Sequence, residues 1–454
     1  MSLRLSVFPE PIALAPREEA QLCYALVTVE ADANGAARPV NWALVADASR
    51  SMRIPIVSEA QFRELVREGG AQEVLVDGVP VWQLTGPLPD EIQASAPSAI
   101  DHTARALHSV VERLEWADRF TLVACAEQAL ILVPSTSGAD RAALVAGIGK
   151  LKGARLGEET DLSAGLDLAL AELARGRVGQ IGEPTERIIL LTDGFTQHAE
   201  ACLDLARRAA AEGIALSTIG VGGDFQDELL TQLADISGGR AVFAHKAESI
   251  PQAVAAELEA ARGVAVRALS LTLGLPHGVE VRRATRLSPS LAPLELQQAG
   301  ERMLRLHVGD LERGATVRLL LELLAPPTPQ RMPAGGMARV RLAALTASSD
   351  ALTVSADVVA LYTAAADAPP PSVIDAAARA NAARLQRRGL AAAAAGDLTA
   401  AVAMLRAAAE RLTNLGEEAL ALAAMREAHA LTETGRTTGV GAKELTYATR
   451  RLAE

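Results

Sequence analysis

Three short segments of this 454-residue chain carry oxygen-bearing side chains in patterns that suit a hard metal ion. The first is Asp47-Ala48-Ser49-Arg50-Ser51. Alternation along an extended loop turns Asp47, Ser49 and Ser51 to one side. The second is Thr160, in the turn Gly157-Glu158-Glu159-Thr160-Asp161, and the third is Asp193, in Leu190-Leu191-Thr192-Asp193-Gly194. Ser49, Ser51 and Thr160 offer neutral hydroxyl oxygens. Asp47 and Asp193 offer two negative charges that bind a cation directly or through its waters. Magnesium is hard and takes six oxygens at near-octahedral angles, so the donor types match its chemistry. Asp and Ser also cap turns and helices, so D-x-S-x-S alone is a weak signal. The competing reading is that Asp47 and Asp193 only cap helices.

The flanking pattern predicts elements that carry all three segments to one edge. Residues 40–262 alternate short aliphatic strands with helices. Strands are expected at Val40–Ala46, Arg119–Cys125, Ala129–Val133, Arg187–Thr192, Ala215–Val221 and Ala241–Ala244. Helices are expected at 97–114, 139–151, 161–175, 198–212, 225–236 and 249–262. This alternation implies a doubly wound, mostly parallel sheet with helices on both faces. In such sheets ligands bind beyond the carboxyl ends of the strands, where Asp47, Thr160 and Asp193 all fall.

The ordered set resembles the metal-ion-dependent adhesion site of von Willebrand factor A (VWA) domains: D-x-S-x-S, a distant Thr, and a distant Asp after an aliphatic strand. The resemblance covers about 40–262. It implies Mg²⁺ (or Mn²⁺) held by Asp47, Ser49, Ser51, Thr160 and Asp193, with one coordination position left for a carboxylate of a partner protein. It further implies an intracellular bacterial type, acting as adaptor or scaffold in a cytoplasmic complex. Partners of that type are AAA+ ATPases or components of signalling complexes. That is recognition through a metal and not catalysis, since no base is placed to activate water.

Three departures from the family pattern stand out. Arg50 replaces the usual Gly, Glu158 and Glu159 replace small residues beside Thr160, and an insert spans about 53–96. Within it, Ser58 and Gln61 read as a capping box, and Asp77-Gly78 reads as a hairpin turn. The insert emerges at the metal face. It either gates partner access, even placing Asp77 on the metal, or is a packing elaboration.

Outside this unit the texture changes. Residues 1–38 contain strands at Leu3–Phe8 and Leu22–Glu30, expected to join an antiparallel β-sandwich over 264–366. The α/β unit, 39–263, is thus inserted in or flanked by the sandwich. After the linker Ala368-Pro369-Pro370-Pro371, residues 372–454 form a C-terminal helical domain. Its run Leu390–Arg411 resembles one tetratricopeptide-type hairpin, expected to dock on the rest.

Composition narrows the functions. A net charge of −11 without a Lys/Arg run argues against nucleic acid and anionic membrane as partners. The isolated cysteines Cys23, Cys125 and Cys202 suggest buried thiols in a reducing compartment. Residues 1–9 lack the pattern of a signal peptide, so a cytoplasmic location is expected. His102, His108, His198, His245, His277, His307 and His429 show no metal-ligand spacing. Gly220-Val221-Gly222-Gly223 reads as a turn, not a dinucleotide fingerprint. Two rival functions stay open. One is a Mg-dependent phosphatase or phosphotransferase using Asp47 as nucleophile, although the position where haloacid-dehalogenase-like enzymes need a second Asp is Ser49. The other is a structural scaffold with an inactive metal site.

Overall fold

Two strands far apart in the chain, Val40–Asp47 and Thr185–Thr192, are buried at every residue. That is the signature of central parallel strands covered on both faces. In a computed structural model, which describes residues 2–33, 38–76, 79–178, 183–327, 337–349, 352–364, 366 and 368–452, they lie side by side. The sheet order is Ala241–Ala244, Ala215–Val221, Thr185–Thr192, Val40–Asp47, Arg119–Cys125, Ala129–Ser137. All pairings are parallel except that of Ala129–Ser137 with Arg119–Cys125. Helices cover both faces. Ala99–Arg113, Arg141–Gly149 and Ile250–Gly263 pack on one around Leu44, Phe120 and Leu107. Leu162–Gly176, Ala199–Ala211 and Asp227–Ser237 pack on the other around Val45, Leu190 and Leu216. The chain leaves Val40–Asp47 toward one side of the sheet and later returns on the other side, at Thr185–Thr192. The switch point therefore lies between Asp47 and Thr192.

Two further sheets face each other across a core that includes Val27, Leu271, Leu319 and Leu345. One has the order Leu3–Phe8, Gln21–Ala31, Thr316–Ala325, Glu280–Ser288, Ala292–Leu294. The other runs Gln297–Gly300, Met303–Glu312, Val264–Gly274, Met337–Ser348, Thr353–Thr363, Ile12–Leu14. Pairing is antiparallel except between Ile12–Leu14 and Thr353–Thr363. The N-terminal strands thus sit inside sheets built from the region after the α/β unit, with Glu30 opposite Thr316. Three short strands, Ile12–Leu14, Ala292–Leu294 and Gln297–Gly300, are additions to the sequence-based expectation.

The α/β unit meets the sandwich through buried charge and close backbone. Arg187 bonds Glu257 at 3.2 Å and Asp310 at 3.3 Å, and Ser217 Oγ donates to Glu257 at 2.6 Å. Gly238 has φ +74° and lies so near Gly309 that a Cβ would fall 2.3 Å from the Gly309 Cα, so only glycine fits.

Four helices close the described chain: Pro371–Ala394, Leu398–Asn414, Glu418–Thr434 and Val440–Thr449. The expected hairpin turns at Gly396, whose φ is +83°. The first helix docks Val373, Ala376 and Ala380 against Leu26, Leu287 and Leu320 of the sandwich. The last docks Tyr447 against Phe225 and Phe243 of the α/β unit. Among the described residues no helix is long and apolar enough to cross a membrane.

The insert holds the capped helix Glu59–Arg67, where Ser58 and Gln61 form the expected capping box. It continues with the hairpin Ala71–Val76 and Val79–Leu84, whose turn residues Asp77 and Gly78 lie outside the described residues. Phe62 meets Trp82 edge-on at 5.4 Å. A short helix, Asp90–Ser95, leads back to the sheet.

Candidate metal centre

Asp47 ends its strand fully buried. Its Oδ1 accepts the Ser49 N–H at 2.9 Å, closing a tight turn that throws the chain over the sheet edge. Register then matters: Ala46 lies opposite Leu191, so Thr192 follows at the same height as Asp47. Thr192 Oγ1 donates to Asp47 Oδ2 at 2.5 Å. Ser51 Oγ donates to Asp193 Oδ1 at 2.7 Å and lies 3.1 Å from Ser49 Oγ. Thr160 is hydrogen-bonded to the Asp47 carboxylate as well. A Cβ placed on Gly194 would sit 3.6 Å from Thr160 Oγ1 and 3.7 Å from Asp47 Oδ2. All five residues singled out from the sequence therefore meet at one place. Neither aspartate is a helix cap: the N-cap positions of the following helical segments are Arg50 and His198.

Each segment is held by residues that the pattern did not reveal. Arg53 donates Nε to the Ala48 carbonyl at 3.2 Å and Nη1 to the Lys152 carbonyl at 2.6 Å, and also reaches the Ala154 carbonyl. It staples the D-x-S-x-S turn to a neighbouring loop. Glu127 accepts the backbone N–H of Glu158 at 3.1 Å and presses on Gly157, whose φ of +115° excludes other residues without strain. Asp161 caps helix Leu162–Gly176 and donates its own N–H to the Ala126 carbonyl at 2.8 Å, which fixes Thr160 beside it. Gln226 grips the loop after Asp193 through its backbone, accepting the Thr196 N–H at 3.0 Å and donating to the Thr196 carbonyl at 3.2 Å. The next loop residues back, Gly223 and Phe225, are held by the C-terminal helix. Lys443 Nζ donates to the Gly223 carbonyl and stands 4.2 Å from the Phe225 ring centroid.

Electrostatics set the chemistry. Burial raises the pKa of Asp47, opposed by hydrogen bonds from Thr192, Ser49 and Thr160. Burial pushes Asp193 up to about 6; the Ser51 bond opposes this, and the charge of Asp47 adds to it. Among the described residues neither carboxylate has a Lys, Arg or His ion-pair partner. Two such charges without a counter-charge are strongly unfavourable. The donor set, two carboxylates and three hydroxyls, suits a hard divalent cation, which supplies the missing positive charge. No group of three or more His, Cys, Asp or Glu side chains able to hold a metal occurs among the described residues, so the hydroxyls are integral to the fit.

The three hydroxyl residues, Ser49, Ser51 and Thr160, border a cleft of about 410 Å³. Its rim carries Glu127, Glu158, Glu159 and His198, with Phe195 61% exposed beside Asp193. Arg50 stands in solvent and reaches Glu158 at 3.9 Å. Among the described residues none of the insert lines this cleft.

Comparison with known proteins bears on the fold and its parts. Residues 93–256 match the family model described as von Willebrand factor type A domain. Residues 371–454 match that of the Sll0103-like, C-terminal alpha-helical domain. Thr160 and Asp193 lie inside the first match, whereas Asp47, Ser49 and Ser51 precede it. The chain is 26% identical over 226 residues to the uncharacterized protein sll0103 of Synechocystis, a match covering 48% of this chain and 52% of that one. It is 29% identical over 139 residues to the uncharacterized protein YfbK of Escherichia coli, covering 29% of this chain and 23% of that one. The matches thus span about half or less of these curated relatives. A von Willebrand factor type A structure from Catenulispora acidiphila shares the fold with a TM-score of 0.71 at 17% identity, covering 99% of this chain and 96% of that chain. The ArnB paralog VWA2 from Sulfolobus acidocaldarius gives 0.50 at 14% identity, covering 99% and 98%. The molecule therefore carries a VWA domain, antiparallel sheets and a C-terminal helical domain.

Proposed function

We propose that the VWA domain of this chain is a divalent-cation-dependent protein-interaction module. Asp47, Ser49, Ser51, Thr160 and Asp193 would hold the ion, Mg²⁺ or Mn²⁺. The bound ion supplies a Lewis-acidic position that a partner carboxylate can occupy. The chain's own groups do the rest. The hydroxyls keep the donor set mostly neutral, Arg53 and Gln226 fix the two loops, and Phe195 offers an apolar contact beside the charge. One observation carries this reading: a buried and a half-buried carboxylate, Asp47 and Asp193, meet three hydroxyls at the switch point with no cationic side chain among the described residues to neutralise them.

The division that goes with it is residues 1–38 joining the sandwich, 39–263 as the VWA unit with its insert at 53–96, 264–366 as the sandwich and 372–454 as the helical domain. An adaptor or scaffold role in a cytoplasmic complex fits the three free, buried cysteines. An AAA+ ATPase or a signalling-complex component is the kind of partner we expect. Calorimetric titration of Mn²⁺ into the wild type and Asp47→Ala tests the site. One-to-one binding lost in the variant is expected; equal heats from both would refute the assignment.

A further inference from the structure

Away from the acidic cleft, a second cavity lies where four parts of the chain meet: helix Asp227–Ser237, strand Ala292–Leu294, helix Pro371–Ala394 and helix Val440–Thr449. Its volume is about 420 Å³, within the range of small-molecule sites. Much of its wall is apolar, with Leu291, Pro293, Leu390, Ala391 and Ala394. A smaller cavity of about 310 Å³ shares Leu291, Pro293, Ala383 and Arg387 with it.

Charge in the smaller cavity is one-sided. Four arginines, Arg282, Arg283, Arg384 and Arg387, face the single carboxylate of Glu322. Glu322 is already engaged by Arg283 at 3.0 Å and Arg384 at 3.9 Å, and Arg282 reaches Glu280 at 3.8 Å. Arg387, on the wall common to both cavities, makes no hydrogen bond or ion pair among the described residues. Arg387 is exposed at the mouth of the cavities; partial burial lowers its pKa, with Arg450 and Arg384 adding to this and the charges of Asp235 and Glu228 opposing it. The carboxylates of the larger cavity have neighbours of their own. Asp235 accepts from Arg450 Nη1 at 2.8 Å, Glu228 accepts from Gln232 at 3.2 Å, and Lys443 acts on Asp227. In a chain of net charge −11, such a surplus of arginine over carboxylate is local.

We infer that this paired cavity binds a small amphipathic anion, its apolar body in the larger space and its carboxylate or phosphate head on Arg387. A guanidinium presents two parallel N–H donors to either head group, and an apolar wall behind it selects against fully hydrated anions. The site is separate from the cation site and does not depend on it.

The test is calorimetry on the full chain with octanoate, octyl phosphate and octanol. At least one anion is expected to bind one-to-one, with octanol weaker by about tenfold or more, as for loss of a charge-assisted hydrogen bond. The two anions distinguish a carboxylate from a phosphate head. Arg387→Gln should weaken the anion by about the same factor, and Ala391→Phe, which fills the apolar space, should abolish it with Arg387 intact. Arg387 and Ala391 are exposed, so both variants keep the fold. Octanol binding as tightly as the anions, an Arg387→Gln variant with unchanged affinity, or binding of neither anion would overturn the proposal. A segment of acidic peptide that binds where both small anions fail would also overturn it.

Discussion

Strand Thr185–Thr192 carries buried charge near its start and just beyond its end, and the two places resolve it differently. Near the start, Arg187 is only 4% exposed but lies between Glu257 and Asp310. Burial opposes its charge, Glu257 and Asp310 outweigh that cost, and the pKa rises overall. Beyond the other end, Asp47 and Asp193 face one another with hydroxyls between them and, among the described residues, no cationic side chain. The first arrangement is complete in the folded chain and joins two units. The second, on the function proposed above, is completed by a bound cation. A buried charge cluster is therefore informative chiefly through what it lacks.

The comparison can be broken most forcefully at the paired end. Arg187→Met leaves Glu257 and Asp310 buried without their partner, and breaking such a pair costs about 3–5 kcal/mol. Chemical denaturation should show a loss of that size, with Mn²⁺ affinity of the folded fraction unchanged. A stable Arg187→Met variant would erase the contrast. At the open end, Mg²⁺ at about a hundredfold its Kd should stabilise the wild type by roughly 2.7 kcal/mol. Asp47→Ala should lose that increment while melting no lower than wild type in chelator, because it removes one of two repelling carboxylates. A variant that melts far lower in chelator would show that Asp47 is structural.

A smaller effect concerns His307, on the same strand as Asp310 and bonded to the Ser237 carbonyl at 3.1 Å. Burial, with Arg286 nearby, holds its pKa below the ordinary histidine value. A folded pKa below the unfolded one gives stability that is full above about pH 6.5 and lost as pH falls through the folded value. Melting temperature should fall from pH 7 toward pH 5, and less steeply in His307→Gln. An identical slope would remove His307 from the account. The smallest change is expected from deleting 56–92: metal affinity should stay the same, since none of the insert's described residues lines the cleft. Altered partner affinity in that variant would instead reveal the insert as a gate.

Much of this was legible in the residues. Aliphatic runs and helical periods predict every strand of the central sheet, because a two-faced sheet demands unbroken apolar strands. Alternation in D-x-S-x-S, together with strand ends, brings Asp47, Ser49, Ser51, Thr160 and Asp193 to one edge. The supports were hidden for a physical reason. Arg53 and Gln226 act on backbone carbonyls and amides, which carry no residue identity. Thr192 joins Asp47 only once the strand register is known. Strands of three or four residues, such as Ile12–Leu14, are too short for a period to show. The arginine surplus around Arg387 arises from segments far apart in the chain.

The pairing of Gln21–Ala31 with Thr316–Ala325 has a consequence for biosynthesis. On the ribosome the N-terminal strands emerge first, yet their hydrogen-bonding neighbour is among the later segments to appear. The VWA unit, whose strands all lie between Val40 and Ala244, can mature in the interval. Nascent Leu3–Ala31 must meanwhile wait with an open edge, which makes it the stretch on which a holding chaperone would act.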